Sequence, residues 1–296
     1  MLDLHRLAAI ANRYPELPPV RNFTLGGYRF EFDRRRYSMG VVNLSPESWY
    51  RESVCLGVDH AVQRGRQLHL RGAALVDIGT ESTLPQAALV SADVQQSMLR
   101  PVVSGLAAAG VPVSVETYHP EVAHAMLSDG ARVINLTGRA GNSEIFRAIA
   151  GHDAGAIICF VAGENVRQVG NLPDPTLIHD IHIEYFRNQI ELATAAGVER
   201  IWLDPGLGFY YDDSSDGADR VAYQLQVFLQ TFRLRELGWP ICHALPHAFH
   251  LFREEVRSAE SFFAVMATIG GTSLLRTHEV ARVAPVLEAM QWDPSI

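Results

Sequence analysis

From residue 38 onward the chain alternates short apolar runs with stretches of helical periodicity. The apolar runs are 38–44 (SMGVVNL), 74–79 (ALVDIG), 111–116 (VPVSVE), 132–137 (RVINLT), 154–161 (AGAIICFV), 200–206 (RIWLDPG), 239–245 (WPICHAL) and 272–278 (TSLLRTH). Most are nearly continuous in apolar residues, the pattern of strands covered on both faces. The segments between them predict helices over 58–71, 91–109, 120–129, 142–151, 179–196, 219–237, 258–269 and 280–290. Several of these stop at a glycine, as at Ala196-Gly197 and Leu237-Gly238, which is how helices commonly end. Eight strand–helix alternations without a second core predict an α/β protein, a single (β/α)8 TIM barrel spanning 37–296. A doubly wound open sheet is the alternative. Residues 1–36 stand ahead of the rhythm as an N-terminal extension. A short amphipathic helix (2–13) leads through Pro15, Pro18 and Pro19 to a hairpin in TLGGYRFEFD, where Tyr28, Phe30 and Phe32 alternate after Gly26-Gly27.

Composition narrows the function classes. The chain has 296 residues, 48% hydrophobic and 20% charged, enough for a large core that needs no disulfide or metal staple. A net charge of −8 argues against a general nucleic-acid or anionic-membrane surface and leaves room only for a local anion pocket. No run of about 18 apolar residues suggests a membrane span, and the first residues do not read as a signal peptide. Cys55, Cys159 and Cys242 are odd in number and far apart. They imply a reducing cytoplasm and no zinc knot.

Polar residues gather at the C-terminal ends of the predicted strands: Asn43, then Asp77 with 79–83 (GTEST), Glu116-Thr117, Asn135, Asp204, His243, and Arg276 with His278. Barrels place their chemistry on that face, and converging polar groups are costly to bury without partners or a ligand. The longest irregular stretches, 45–57, 162–178 and 207–218, all follow strands. The last contains YYDDSSDG and is expected to be mobile. His243, His247 and His250 fall at helical spacing, but Pro246 breaks it, so a histidine metal site is not expected there. His179 and His182 read as the exposed start of a helix.

Several segments carry a family resemblance. They are 39–48 (MGVVNLSPES), 76–83 (VDIGTEST), 113–117 (VSVET) followed by 120–123 (PEVA), 134–135 (IN), 203–209 (LDPGLGF) and 276–279 (RTHE), in family order and each after its own strand. In these the chain resembles the pterin-binding, dihydropteroate synthase-like family. The resemblance implies a barrel that binds a pterin through Glu116, Asn135, Asp204 and His247. It implies pyrophosphate held by Asn43, Thr83, Arg276 and His278, with Mg2+ near Asn43. Asn43, Arg276, His278 and His247 would be the catalytic set. A carboxylate such as Asp204 can accept the two adjacent N–H donors of a pterin edge at once. The partners implied are a pterin and an aryl amine, in a homodimer packed through Phe262, Phe263 and Met266.

The chain also departs from the family. Glu116 stands where the family has Asp. Leu84 replaces an arginine of the second loop, and Glu47-Ser48-Trp49-Tyr50-Arg51-Glu52 rewrites the first, with Arg51 able to restore the lost charge. Asn135 is followed by Leu136 instead of Asp. Leu245-Pro246-His247 stands where the family has Ser-Arg-Lys, so His247 replaces the lysine that packs on pterin and amine. These losses fall on the acceptor side. They suggest a synthase-type transferase using an aryl amine other than p-aminobenzoate, in the manner of tetrahydromethanopterin-type cofactor synthesis, where the amine bears a ribosyl phosphate that His243, His247 or Arg51 would meet. The alternatives are a non-catalytic pterin-binding paralogue and a pterin-dependent methyltransferase with a corrinoid partner.

Overall fold

The computed structural model describes residues 2–14, 18–48, 50–84, 86–168, 170–171, 173–174, 176–209 and 217–291. Helix α1 (Leu4–Asn12) starts at Asp3, whose side chain caps the Arg6 amide at 2.9 Å. A hairpin follows, β1 (Phe23–Leu25) and β2 (Tyr28–Phe30), paired antiparallel with Leu25 opposite Tyr28. Its two-residue turn is Gly26-Gly27 with φ of +56° and +84°. Only glycine takes both positions cheaply, and such turns match the strand twist.

The barrel strands are β3 (Tyr37–Asn43), β4 (Ala73–Gly79), β5 (Val113–Thr117), β6 (Val133–Leu136), β7 (Gly155–Cys159), β8 (Ile201–Asp204), β9 (Cys242–Ala244) and β10 (Leu274–Thr277). All pair in parallel in the order β8-β7-β6-β5-β4-β3-β10-β9. The remaining seam is closed by a parallel bridge between Leu203 and Ile241, with the Leu203 amide donating to the Pro240 carbonyl at 3.0 Å. The helices that cover the barrel are α2 (Val58–Leu70), α3 (Ala92–Ala108), α4 (Pro120–Ser128), α5 (Asn142–Gly151), α6 (Ile178–Ala195), α7 (Gly217–Gln230), α8 (Phe249–Phe252), α9 (Val256–Ile269) and α10 (Val280–Ala289). The expected eightfold alternation is therefore present, with a short α8 before α9.

Side chains alternate across each strand. One set, including Val76, Val115, Ile134, Ile158 and Leu203, packs against the helices. The other set, Met39, Leu75, Val133, Ile157, Trp202, Cys242 and Leu274, fills the barrel floor. Phe30 and Phe32 enter that floor from below, both essentially fully buried, and Phe30 meets Trp202 edge-on at 5.5 Å. The hairpin thus plugs the N-terminal end of the barrel, and its aromatic alternation is the reason it can.

Some side chains sit differently from expectation. His182 is 2% exposed because the face of α6 that carries it packs on Phe160, 4.7 Å away. Phe263 and Met266 are also buried, and of the expected interface residues only Phe262 is exposed. Of YYDDSSDG, residues 210–216 lie outside the described residues, as do Pro15 and the loop residues Trp49 and Pro85.

Candidate active site

The inward set of the barrel changes character two residues above its floor. Leu75 is followed by Asp77, Val133 by Asn135, Ile157 by Cys159, Trp202 by Asp204 and Leu274 by Arg276. Period-two alternation alone therefore puts these five side chains inside the barrel mouth. Glu116 joins them from β5, in register with Asn135 on β6. The mouth opens as a cavity of about 480 Å3. All the residues expected in the site line it: Asn43, Thr83, Glu116, Asn135, Asp204, His247, Arg276 and His278.

Arg276 organises the base of this cavity. Its Nε donates to Asp77 Oδ2 at 2.7 Å and its Nη2 to Glu116 Oε2 at 2.7 Å. Asp77 is fully buried and also accepts from Ser114 Oγ at 2.6 Å and Asn135 Nδ2 at 3.1 Å. Asn135 Oδ1 in turn accepts from the Cys159 thiol at 3.2 Å. Asp204 Oδ1 accepts the Gly206 amide at 2.8 Å, so it shapes its own turn while remaining on the cavity wall. The guanidinium expected to face phosphate is thus spent on two carboxylates.

Asp77, Glu116 and Asp204 crowd around one cation here, and burial raises the last two. Burial pushes Glu116 up to about 7; Arg276 opposes this, while Asp77, Glu81 and Asp204 add to it. Burial likewise pushes Asp204 up to about 6, against the Gly206 amide and Arg276. Buried acceptors with surplus negative charge are matched by a ligand that presents several N–H donors. The pyrimidinone edge of a pterin is such a ligand.

The rim is built differently. Asn43 Nδ2 donates to Ser48 Oγ at 2.8 Å and Ser53 Oγ at 2.6 Å. Its Oδ1 has no hydrogen-bond donor among the described residues. Glu81 accepts from Tyr118 OH at 2.7 Å. Across the mouth, the Tyr50 ring stacks on His247 at 4.8 Å and lies 4.7 Å from His278, while its hydroxyl donates to Glu279. Burial lowers His247 to about 4 and His278 to about 3, so both imidazoles are neutral near pH 7. This part of the wall is therefore aromatic and uncharged, while Arg220 also lines the cavity. The chain contains no lysine at any position.

Two further groups take up positions other than those expected of them. His243 does not reach the cavity. It is in register with Leu275, which faces the helices, and its Nε2 meets Thr231 Oγ1 at 2.8 Å. A one-residue step along β9 moved it to the other face. Arg51 is exposed and donates to the Pro46 carbonyl at 2.6 Å, away from the cavity lining. Sequence reasoning missed the hub role of Asp77, the stacking of Tyr50, and Arg167. The last reaches back from the loop after β7 to the Ser82 and Ala87 carbonyls at 2.5 Å each and to the Leu84 carbonyl, bracing the second loop. Asp77 carried a signal, as an acid in an apolar strand. Arg167 carried none, because its partners are backbone carbonyls.

A closed barrel with a carboxylate-amide-guanidinium cluster in its mouth defines a barrel enzyme of the ligand-binding α/β kind. Residues 39–278 match the family described as pterin binding enzyme, and the chain belongs to that family. It is 27% identical to the dihydropteroate synthase of Synechocystis sp. over 96% of this chain and 97% of that one. It is 28% identical to the dihydropteroate synthase of Bacillus subtilis over 85% and 87%. Among solved structures, dihydropteroate synthase of Burkholderia cenocepacia, complexed with 7,8-dihydropteroate, superposes with a TM-score of 0.76 at 26% identity, covering 92% of this chain and 95% of that one. The Xanthomonas albilineans dihydropteroate synthase with 4-aminobenzoic acid gives a TM-score of 0.74 at 28% identity, covering 93% and 100%. The resemblance read in the sequence is thus supported over most of the chain.

Proposed function

We propose that this dihydropteroate synthase-like transferase joins a dihydropterin methyl pyrophosphate to an aryl amine other than p-aminobenzoate. The amine nitrogen attacks the exocyclic methylene carbon, the carbon–oxygen bond breaks, pyrophosphate leaves with the electron pair, and the nitrogen gives up a proton to solvent. On this reading Asp204, Asn135 and Glu116 hold the pterin, with His247 against its face. Asn43, Thr83, Arg276 and His278 hold the pyrophosphate, Arg276 exchanging a carboxylate for a phosphate oxygen as the ester binds. Asn43, Arg276, His278 and His247 form the catalytic set. Asn43 suits a hard cation, because its amide nitrogen is spent on Ser48 and Ser53 and its oxygen is left to ligate. Mg2+ bound there would offset charge on the leaving group.

The observation that carries the altered acceptor is the uncharged wall formed by Tyr50, His247, Leu245 and Phe249. A buried carboxylate against that wall would find no cation within it, although Arg220 also lines the cavity. An amine bearing a more distant anionic group, as in tetrahydromethanopterin-type cofactors, would carry its charge past it. A second reading has support of its own. Arg276 has Asp77 and Glu116 as partners, which suits a pterin-binding paralogue that releases no pyrophosphate. We further propose that the chain works as a cytoplasmic homodimer and that residues 1–36 form an extension to the barrel of 37–296. No helix among the described residues is long and apolar enough to cross a membrane.

The test is pyrophosphate release from dihydropterin methyl pyrophosphate, with p-aminobenzoate competing against an aryl amine bearing a ribosyl phosphate. Preferential consumption of the second amine is expected. Turnover of p-aminobenzoate at about 1 s⁻¹ or more, within the usual range for enzymes, overturns the altered acceptor. Pterin binding by calorimetry without turnover of either amine leaves the paralogue reading in its place.

A further inference from the structure

Glu260 is a carboxylate on helix α9 with no exposure to solvent. Its Oε2 is taken by the Thr277 hydroxyl and by the backbone amides of His278 at 3.0 Å and Glu279 at 3.2 Å. Its Oε1 accepts a longer bond from the His278 amide at 3.3 Å and also faces two imidazoles. His278 Nδ1 lies 3.0 Å away and His247 Nδ1 3.3 Å away. The His247 contact is too poorly aligned to be a hydrogen bond, and that buried nitrogen has no other partner among the described residues. Among the described residues no arginine pairs with Glu260; the nearby Arg257 is committed to Glu279 through Nε at 2.7 Å and Nη2 at 3.1 Å. A buried carboxylate facing two imidazoles, without a fixed cation, is short of positive charge.

We propose that His247, His278 and Glu260 form a binding site for a divalent transition metal of the zinc class in the wall of the cavity. Two histidines and a glutamate are a ligand set that zinc accepts while keeping a position for water or another oxygen. Nitrogen and oxygen ligands about 2.0–2.1 Å from a tetrahedral ion stand roughly 3.3 Å apart. The two histidine–glutamate separations already match this, and all three ligand atoms lie within 4.8 Å of one another, so only the imidazoles need to close up. Each would keep its proton on Nε2 and offer Nδ1. Thr277 and the two backbone amides fix Glu260 from behind, the outer-shell support that such sites need.

His247 and His278 line the cavity and Glu260 lies behind them. A water or another oxygen from the cavity could therefore complete the coordination. The site is distinct in donor chemistry from the oxygen site at Asn43: imidazole nitrogen selects softer ions than Mg2+. The inference does not depend on the transferase reading, because metal binding is measured without any substrate.

The test uses the full chain, stripped with a chelator and titrated with Co2+, whose visible absorption reports coordination. One equivalent of Co2+ per chain with a four- or five-coordinate spectrum, displaced by Zn2+, is expected. His247→Ala and Glu260→Gln should each weaken binding by more than the ~100-fold that outer-shell changes reach. His152→Ala, on a partly exposed histidine of the barrel exterior, should leave binding unchanged. Circular dichroism checks that each variant is folded. Absence of the spectrum in the wild-type protein overturns the proposal without reference to any variant. Binding that survives His247→Ala, or falls equally with His152→Ala, overturns it as adventitious uptake by surface histidines.

Discussion

Glu116→Gln isolates the electrostatics of the barrel mouth. The substitution keeps an oxygen for Arg276 Nη2, now 2.7 Å from Glu116, and removes only the charge. Burial raises the Glu116 carboxyl from an ordinary 4.5 to about 7, so the native state holds a proton that the unfolded chain has released. A raised carboxylate contributes stability that is complete below the unfolded value and is lost as pH climbs through the folded one. The window therefore runs from about 4.5 to about 7. With about 1.4 kcal/mol per pKa unit, the wild-type protein should lose about 2–3 kcal/mol from this group between about pH 5 and about pH 8. The side chain is 14% exposed, so solvent screening takes little from that figure. Glu116→Gln should lack the loss. Urea denaturation of both proteins at the two pH values measures it, with Asp204 contributing in the same direction to each. The variant should gain on the wild type by about 2–3 kcal/mol at the higher pH. Parallel profiles for the two proteins would refute the claim that Glu116 is held neutral by its surroundings.

Two further outcomes follow from the same cluster. Asp204→Asn should weaken pterin binding by about 1.5–3 kcal/mol, the range for a charged hydrogen bond; calorimetry giving equal affinities would remove Asp204 from the pterin edge. Arg276→Met strands the buried Asp77 carboxylate and removes the partner of Glu116, and should destabilise the fold by about 3–5 kcal/mol. Adding Asp77→Asn should recover part of that loss in urea denaturation, and a purely additive double variant would contradict the pairing.

Much of the fold was legible because its signals are local. Each barrel strand lies in a largely apolar run, most with a polar residue at or near the end, and the aromatic alternation with Gly26-Gly27 marked the hairpin. Asp204, Asn135 and Glu116 could be placed at strand ends for the same reason. What escaped was whatever depends on partners distant in sequence. Arg276 and Asp77 are 199 positions apart, and no spacing rule links them. Glu260 sits in a helix where charge usually faces water, and only tertiary packing turns it inward under His278. His243 failed through parity: β9 is three residues long, and so short a strand does not declare which face is which. Phe263 and Met266 were mistaken for interface residues because an amphipathic helix shows the same stripe to a barrel as to a partner.

The plug beneath the barrel bears on how the protein is made. Phe30 and Phe32 come from the first tenth of the chain, yet the floor they seal includes Ile157, Trp202 and Leu274, and β3 pairs with β10. A nascent chain leaving the ribosome therefore carries these aromatic side chains unsatisfied until β10 has emerged. Contacts this nonlocal belong to slow-folding topologies, and the exposed hairpin is a sticky edge throughout the wait. Shielding of residues 23–32 during synthesis, by a chaperone or by early packing against β3, will govern the yield of soluble protein more than the stability of the finished barrel does.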